Sequence, residues 1–255
     1  MANARFEGKV ALVTGGGRGI GAATCEVLAR DGASVVVVDM DADVATGVVD
    51  RIASSGGTAT GAACDVVDRA QAEAAVQTAV DTYGRLDILV CCAGITRDNL
   101  LFKMTDDDWF GVINTHLTGT FNFARAAQAV MVPNKYGKMV FLSSTSALGN
   151  RGQANYSTAK AGMQGLASTL AIELGRFGIN VNAVAPGFVE TRMTEATAAR
   201  MGVEWSAFKE AMVARIPRGI LGQPHHIANV IAFLASDDAE YVSGQTIYAT
   251  GGRSS

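Results

Sequence analysis

Seven short apolar runs are separated by stretches with helical spacing along almost the whole chain. The runs are 9–14, 33–39, 58–65, 86–91, 138–143, 179–185 and 244–249. Most are unbroken, as in "ASVVVVD", rather than alternating apolar with polar residues. A parallel sheet covered by helices on both faces requires runs of that kind. Helical patterns fill 18–30, 41–54, 68–83, 106–132, 154–177 and 223–236, with starts at Asp68, Thr105 and Gln223–Pro224. The alternation predicts a single α/β domain over residues 1–255, a doubly wound, Rossmann-type parallel sheet of about seven strands. Residues 190–222 interrupt it. They are polar and Met-rich and carry no strand pattern, which predicts a flap over a ligand site. Met193, Met201, Trp205, Phe208 and Met212 would either cover an apolar ligand or pack internally.

Lys and Arg number 21 against 24 Asp and Glu, a net charge of −3, and no basic run stands out. A nucleic-acid partner is not expected. No apolar window is long enough for a membrane span, and Arg5, Glu7 and Lys9 break up any signal-peptide pattern. Cys25, Cys64, Cys91 and Cys92 have no metal-binding spacing, and His116, His225 and His226 do not complete a ligand set. Reduced thiols, no metal and a cytoplasmic protein are expected. Cys91 and Cys92, as strand neighbours, should face opposite ways.

"VTGGGRGIGAA" (13–23) follows the first strand and opens the first helix. Its glycines, Gly15-x3-Gly19-x-Gly21, let backbone approach a pyrophosphate at a helix N-terminus, with Arg18 and Ile20 in the same turn. Asp39 ends the second strand, 18 residues after Gly21. A carboxylate there accepts hydrogen bonds from a ribose diol and repels a 2′-phosphate, which favours NAD(H) over NADP(H). Arg18 pulls the other way, and Asp39 also reads as a cap for 41–54. Asp65, with Val66 beside it, would reach adenine or form an ordinary strand-end turn.

In "GQANYSTAK" (152–160), Tyr156 and Lys160 stand four apart, on one helical face. An ammonium roughly 5 Å from the phenol oxygen would lower the tyrosine pKa from about 10 toward about 8. Such a tyrosine passes protons to or from a carbonyl or alcohol oxygen. Ser143 and Ser144 end "KMVFLSS", where a hydroxyl would hold the same oxygen.

Taken together, "TGGGRGIG", "CAG" after "DILV", Tyr156-x3-Lys160 and "PGFVET" (186–191) resemble the short-chain dehydrogenase/reductase family over essentially the whole chain. Segments 94–105, 149–162, 180–194 and 227–246 resemble its 3-oxoacyl-[acyl-carrier-protein] reductases and related 3-hydroxyacyl-thioester dehydrogenases. The resemblance implies that Tyr156 is the acid/base, that Lys160 binds the nicotinamide ribose and tunes Tyr156, and that Ser144 holds the substrate oxygen. Counting from the strand selects Ser144; counting back from Tyr156 selects Ser143. Pro186, Gly187, Val189 and Thr191 would contact the carboxamide, and Ala93 and Gly94 would back the adenosine ribose. A homotetramer is implied, acting on a 3-oxoacyl thioester carried by coenzyme A or by acyl carrier protein. Lys135, Lys138 and Arg176 are candidates for docking the acidic carrier. A dehydrogenase of another secondary alcohol, such as a steroid, sugar or diol, and a non-enzymatic NAD-binding sensor are the alternatives.

Two departures stand out. "CCAG" replaces the family's usual NNAG, so two asparagine amides are missing. His116 stands where an asparagine normally holds a relay water. Neutral imidazole has one donor and one acceptor, so His116 would either take that place, with a pH dependence near 6–7, or be a core histidine.

Overall fold

The computed structural model describes residues 5–252. Its strands are β1 (Val10–Thr14), β2 (Ser34–Asp39), β3 (Thr58–Ala63), β4 (Ile88–Cys91), β5 (Gly137–Leu142), β6 (Ile179–Pro186) and β7 (Thr246–Ala249). They form one parallel sheet in the order β3-β2-β1-β4-β5-β6-β7. The helices are α1 (Gly19–Arg30), α2 (Ala42–Ser54), α3 (Arg69–Tyr83), α4 (Asp106–Ile113), α5 (Gly119–Asn134), α6 (Ala154–Leu174), α7 (Arg192–Arg200), α8 (Trp205–Val213) and α9 (Pro224–Leu234).

The unbroken apolar strands feed two cores. Ala11, Val13, Val35, Val37, Ile88 and Val90 pack on one face with side chains of α1, α2 and α9. Their neighbours Leu12, Val36, Val38, Leu89 and Cys91 pack on the other with α3, α5 and α6. In the inner strands β1, β2, β4, β5 and β6 most residues are therefore buried whichever way they point, at about 1.5–3 kcal/mol for a large aliphatic side chain, whereas the edge strands β3 and β7 stay partly exposed. Cys91 lies in the second core and Cys92 against the first, as strand alternation requires, and all four cysteines are free thiols. No described helix is long and apolar enough to cross a membrane, and no described cluster of three His, Cys, Asp or Glu could hold a metal.

Local chemistry sets the helix starts. Asp68 accepts from the Gln71 amide, Thr105 and Asp108 cap each other reciprocally, and Pro224 opens α9. Three expectations need correction, at 106–132, at 154–177 and at Asp39. Residues 106–132 are not one helix, because a π-helical turn, Asn114–Thr118, separates α4 from α5. Its extra residue per turn rotates His116 into the interior; Asn114 stays partly exposed. Residues 154–177 end as α-helix at Leu174 and finish in a 3-10 turn. Segment 190–222 holds two helices, the first opened by Thr191 with Thr194 at its third position. Asp41, not Asp39, caps α2.

The strand order reverses between β1 and β4, which opens a crevice at their carboxyl ends. The basic trio lies at the opposite edge. Lys135 and Lys138 flank the start of β5, and Arg176 precedes β6. Lys138 is also buried, donating to Asn180 Oδ1 at 2.8 Å.

Candidate active site

The glycine turn and the turn after β4 touch. A Cβ on Gly15 would lie 2.7 Å from Ala93 Cα, and Gly15 itself has a φ of +61°. A Cβ on Gly21 would overlap the Gly15 carbonyl oxygen. The turn thus exists only with backbone this bare. In place of the missing asparagine amides, the Cys92 N–H donates to the Thr14 carbonyl at 3.1 Å and the Ala93 N–H to Thr14 Oγ1 at 3.3 Å. Backbone and one threonine hold "CCAG" in register.

Asp39 Oδ2 accepts from the Gly17 N–H at 3.1 Å, and Oδ1 accepts from the Asp41 N–H at 3.2 Å. Arg18 is turned to Asp41 at 3.2 Å, an exposed pair. Asp65 is exposed, lies two residues past the end of β3, and accepts from the Val67 N–H at 3.0 Å. Val66 is buried, with its carbonyl held by Asn122 Nδ2 at 3.2 Å. Pro186 ends β6 and the Gly187 N–H donates to Ala249. Val189 is buried, and the methyl of Thr191 would meet a Cβ on Gly19 at 3.5 Å. The strand-end segments that sequence spacing singled out therefore converge on one crevice. Phe208 anchors segment 190–222 against Phe188, with ring centroids 6.2 Å apart, and stacks on Trp205; Met201 is exposed.

Tyr156 and Lys160 lie in the first two turns of α6. Ser144 is close enough to the Tyr156 hydroxyl to stabilise its ionised form. Ser143 is committed elsewhere: its hydroxyl donates to the Lys160 carbonyl at 2.8 Å and accepts from Gln164. Lys160 donates to the Leu142 carbonyl, with Nζ 5.4 Å from the centre of the Tyr156 ring. The electrostatics differ from the expected depressed tyrosine. Burial pushes the Tyr156 phenol up to about 12, opposed by Ser144 and reinforced by Asp98. Burial lowers Lys160 to about 7, with Cys92 and Cys91 opposing. A lysine near neutrality, held by a carbonyl over the ring, is a weak source of positive charge. At neutral pH the Tyr156 phenol is therefore protonated.

His116, in the π-helical turn, is buried against the turn after β4. Its Nε2 lies 2.8 Å from the Ile95 carbonyl and 3.1 Å from the Ile95 N–H, and its ring meets Tyr156 edge-on at 5.1 Å. The shorter contact fits an Nε2–H donor, which makes Nδ1 an acceptor; Nδ1 is buried and has no partner among the described residues. Burial, then Lys160, hold its pKa well below 6.5, so the expected titration near 6–7 does not occur.

One anchor escaped the sequence reading. Asn155 is fully buried. Its Nδ2 donates to the Arg97 and Asp108 carbonyls at 3.0 and 2.9 Å, and its Oδ1 accepts from the Tyr156 N–H at 2.7 Å. Its place beside Tyr156 was the available signal.

Residues 15–254 match the family model described as Enoyl-(Acyl carrier protein) reductase. The 3-oxoacyl-[acyl-carrier-protein] reductase FabG of Escherichia coli (strain K12) is 41% identical, covering 97% of this chain and 98% of its own. This chain is a short-chain dehydrogenase/reductase. Such a dehydrogenase/reductase is an NAD(P)-dependent oxidoreductase acting on CH–OH or keto groups. It is also 43% identical to the short-chain reductase protein NovJ of Streptomyces niveus, over 96% of this chain and 93% of that one. A third relative is the (2S)-[(R)-hydroxy(phenyl)methyl]succinyl-CoA dehydrogenase subunit BbsD of Thauera aromatica, 41% identical over 98% of both. Among solved structures, that of gox2181 superposes with a TM-score of 0.91 at 34% identity, covering 99% of this chain and 98% of the other. The bare Gly15–Gly21 backbone at the opening of α1 suits the pyrophosphate of a nicotinamide dinucleotide.

The buried lysine of this dehydrogenase/reductase carries a stability signature. Unfolded, Lys160 keeps its proton to about pH 10.5; folded, it loses it near 7. Between those values the unfolded chain binds more protons, so the lysine's contribution to stability rises with pH, by roughly 4–5 kcal/mol over the window. In urea denaturation without cofactor, Lys160→Met is expected to be more stable than wild type at pH 7, with the gap closing toward pH 10. Parallel pH profiles for the two proteins would refute this.

Proposed function

We propose that this protein is an NAD(H)-dependent oxidoreductase that interconverts a 3-oxoacyl thioester and its 3-hydroxy form. The observation that carries the reading is Tyr156, protonated at neutral pH, beside the Ser144 hydroxyl at the carboxyl end of the sheet. The nicotinamide supplies the hydride. Ser144 orients the substrate carbonyl oxygen, and Tyr156 gives it a proton as the ketone becomes an alcohol. Lys160, half-charged near pH 7, stabilises the tyrosinate and binds the nicotinamide ribose. His116 Nδ1 offers the acceptor for a relay water in the asparagine's place. The backbone of Gly15, Arg18, Gly19, Ile20 and Gly21 holds the pyrophosphate. Asp39 holds the ribose, Asp65 and Val66 the adenine, and Ala93 and Gly94 the adenosine ribose face. Pro186, Gly187, Val189 and Thr191 hold the carboxamide, and segment 190–222 covers the acyl group.

Two observations support NAD(H). Asp39 already accepts from the glycine turn, and the Arg18 guanidinium is paired with Asp41. A 2′-phosphate would meet Asp39 and Asp41 before an unpaired cation. The thioester class is supported by relatives whose names specify an acyl-carrier-protein or a CoA substrate. We include in this reading a homotetramer in the cytoplasm; Phe110 and Phe121 are 55% and 47% exposed, apolar surface for subunit contact.

The test is nicotinamide absorbance with acetoacetyl-CoA, NADH beside NADPH, for wild type and Asp39→Ser. Wild type is expected to prefer NADH, and Asp39→Ser to move the ratio toward NADPH by about tenfold or more. NADPH preference in wild type would overturn the cofactor assignment.

A further inference from the structure

We propose that Asp98 and Arg200 form a latch that fastens segment 190–222 to the loop after β4 and sets the charge facing Tyr156, so that both are positioning residues for the reaction. The inference rests on the assignment of Tyr156 as proton donor.

Arg200 is the last residue of α7. Its Nη2 reaches Asp98 Oδ2 at 3.2 Å, Thr96 Oγ1 at 3.3 Å and Thr197 Oγ1 at 3.0 Å. Within the segment, Lys209 pairs with Glu190 at 2.9 Å, and Thr194 ties its start to the Val189 carbonyl at 2.8 Å. These contacts are separate from the Arg200–Asp98 pair, so loss of that pair leaves them in place.

The loop that receives Arg200 is stitched to the start of α6. The Asn99 N–H donates to Gly152 at 2.8 Å, and the Arg97 carbonyl accepts from Asn155, which holds the Tyr156 N–H. Asp98 sits between those two stitches. Its Oδ1 is buried and unpartnered, so Arg200 on Oδ2 is its ion-pair partner among the described residues. A half-desolvated carboxylate acts strongly on nearby ionisations. Around Tyr156 lie Ser144, the neutral His116 ring at 5.1 Å, Lys160 with Nζ 5.4 Å from the ring centre, and the charge of Asp98, whose loop is tied to the start of α6. Asp98 is the anion among them, and it opposes loss of the phenolic proton. Pairing with Arg200 moderates that opposition. Release of the latch would expose the site and make Tyr156 harder to ionise in the same movement.

The test titrates tyrosinate by ultraviolet absorbance in the full-length protein, with Tyr156→Phe as baseline, and measures KM for acetoacetyl-CoA. Asp98→Asn is expected to lower the Tyr156 midpoint by about half a pH unit or more, and Arg200→Gln to raise it. Arg200→Gln should also raise KM several-fold, with Arg200→Lys restoring both. In the double variant the midpoint should match Asp98→Asn alone, because the arginine acts through the carboxylate. Midpoints unmoved by Asp98→Asn and Arg200→Gln would overturn the latch even if KM rises, since loose packing alone changes KM. If Tyr156→Phe turns over acetoacetyl-CoA like wild type, the underlying assignment fails instead.

Discussion

Tyr156→Phe is expected to lower kcat for ketone reduction by about 10³-fold, within the range usual for loss of a general acid. The ring should stay where it is, since it packs edge-on against His116 at 5.1 Å and its amide is held by Asn155. What disappears is the hydroxyl beside Ser144. NADH affinity and unfolding free energy should change little, the latter by less than about 1 kcal/mol. Fluorescence titration with NADH and urea denaturation check those two quantities beside the rate. A variant that loses NADH binding along with turnover would mean that Tyr156 holds the site together rather than supplying its proton.

Gly21→Ala is the second large effect, and it acts on structure and cofactor together. The added methyl would overlap the Gly15 carbonyl oxygen, which is backbone and cannot rotate away. Either α1 shifts or the turn opens, and the cost is expected to be about 3 kcal/mol or more. Cofactor affinity should fall at least tenfold, because the amides of the same turn face the pyrophosphate. Gly47→Ala is the control. On α2 its Cβ meets only the end of the Arg51 side chain at 4.0 Å, and a gain of roughly 0.5–1 kcal/mol is expected from helix propensity. Equal Tm values for the two variants would show that the close approach in the turn is not what makes Gly21 necessary.

The sheet was legible because burial on both faces leaves a pattern that needs no tertiary information. Val35 to Val38 are apolar without interruption, and they alternate between two cores. The helix starts at Asp68 and Thr105 were legible because capping is local. The π turn at Asn114–Thr118 was not, since it follows from how α4 and α5 sit on their neighbours; a Cβ on Gly119 would strike Val66, more than fifty residues earlier. The site was legible as residue types and spacing, but its electrostatics were not. Spacing put Lys160 and Tyr156 on one face; it could not say that the ammonium would settle on the Leu142 carbonyl and be desolvated. His116 shows the same limit: burial, invisible in "NTHLTGTF", removes the titration that its residue type suggests. Asp98 and Arg200 are 102 positions apart, and only the fold makes them a pair.

In the function proposed above, the proton donor and hydride site serve a 3-oxoacyl thioester. Its most direct test is kcat/KM with NADH for acetoacetyl-CoA, set against a steroid ketone and a ketose under the same conditions. The expected result is a kcat/KM for the thioester at least a hundredfold above both, falling to background in Tyr156→Phe. A higher value for the steroid or the sugar would contradict the thioester assignment while keeping the dehydrogenase. NADH binding with no turnover of any of the three would contradict the catalytic reading itself and return the protein to the role of a nicotinamide-binding sensor.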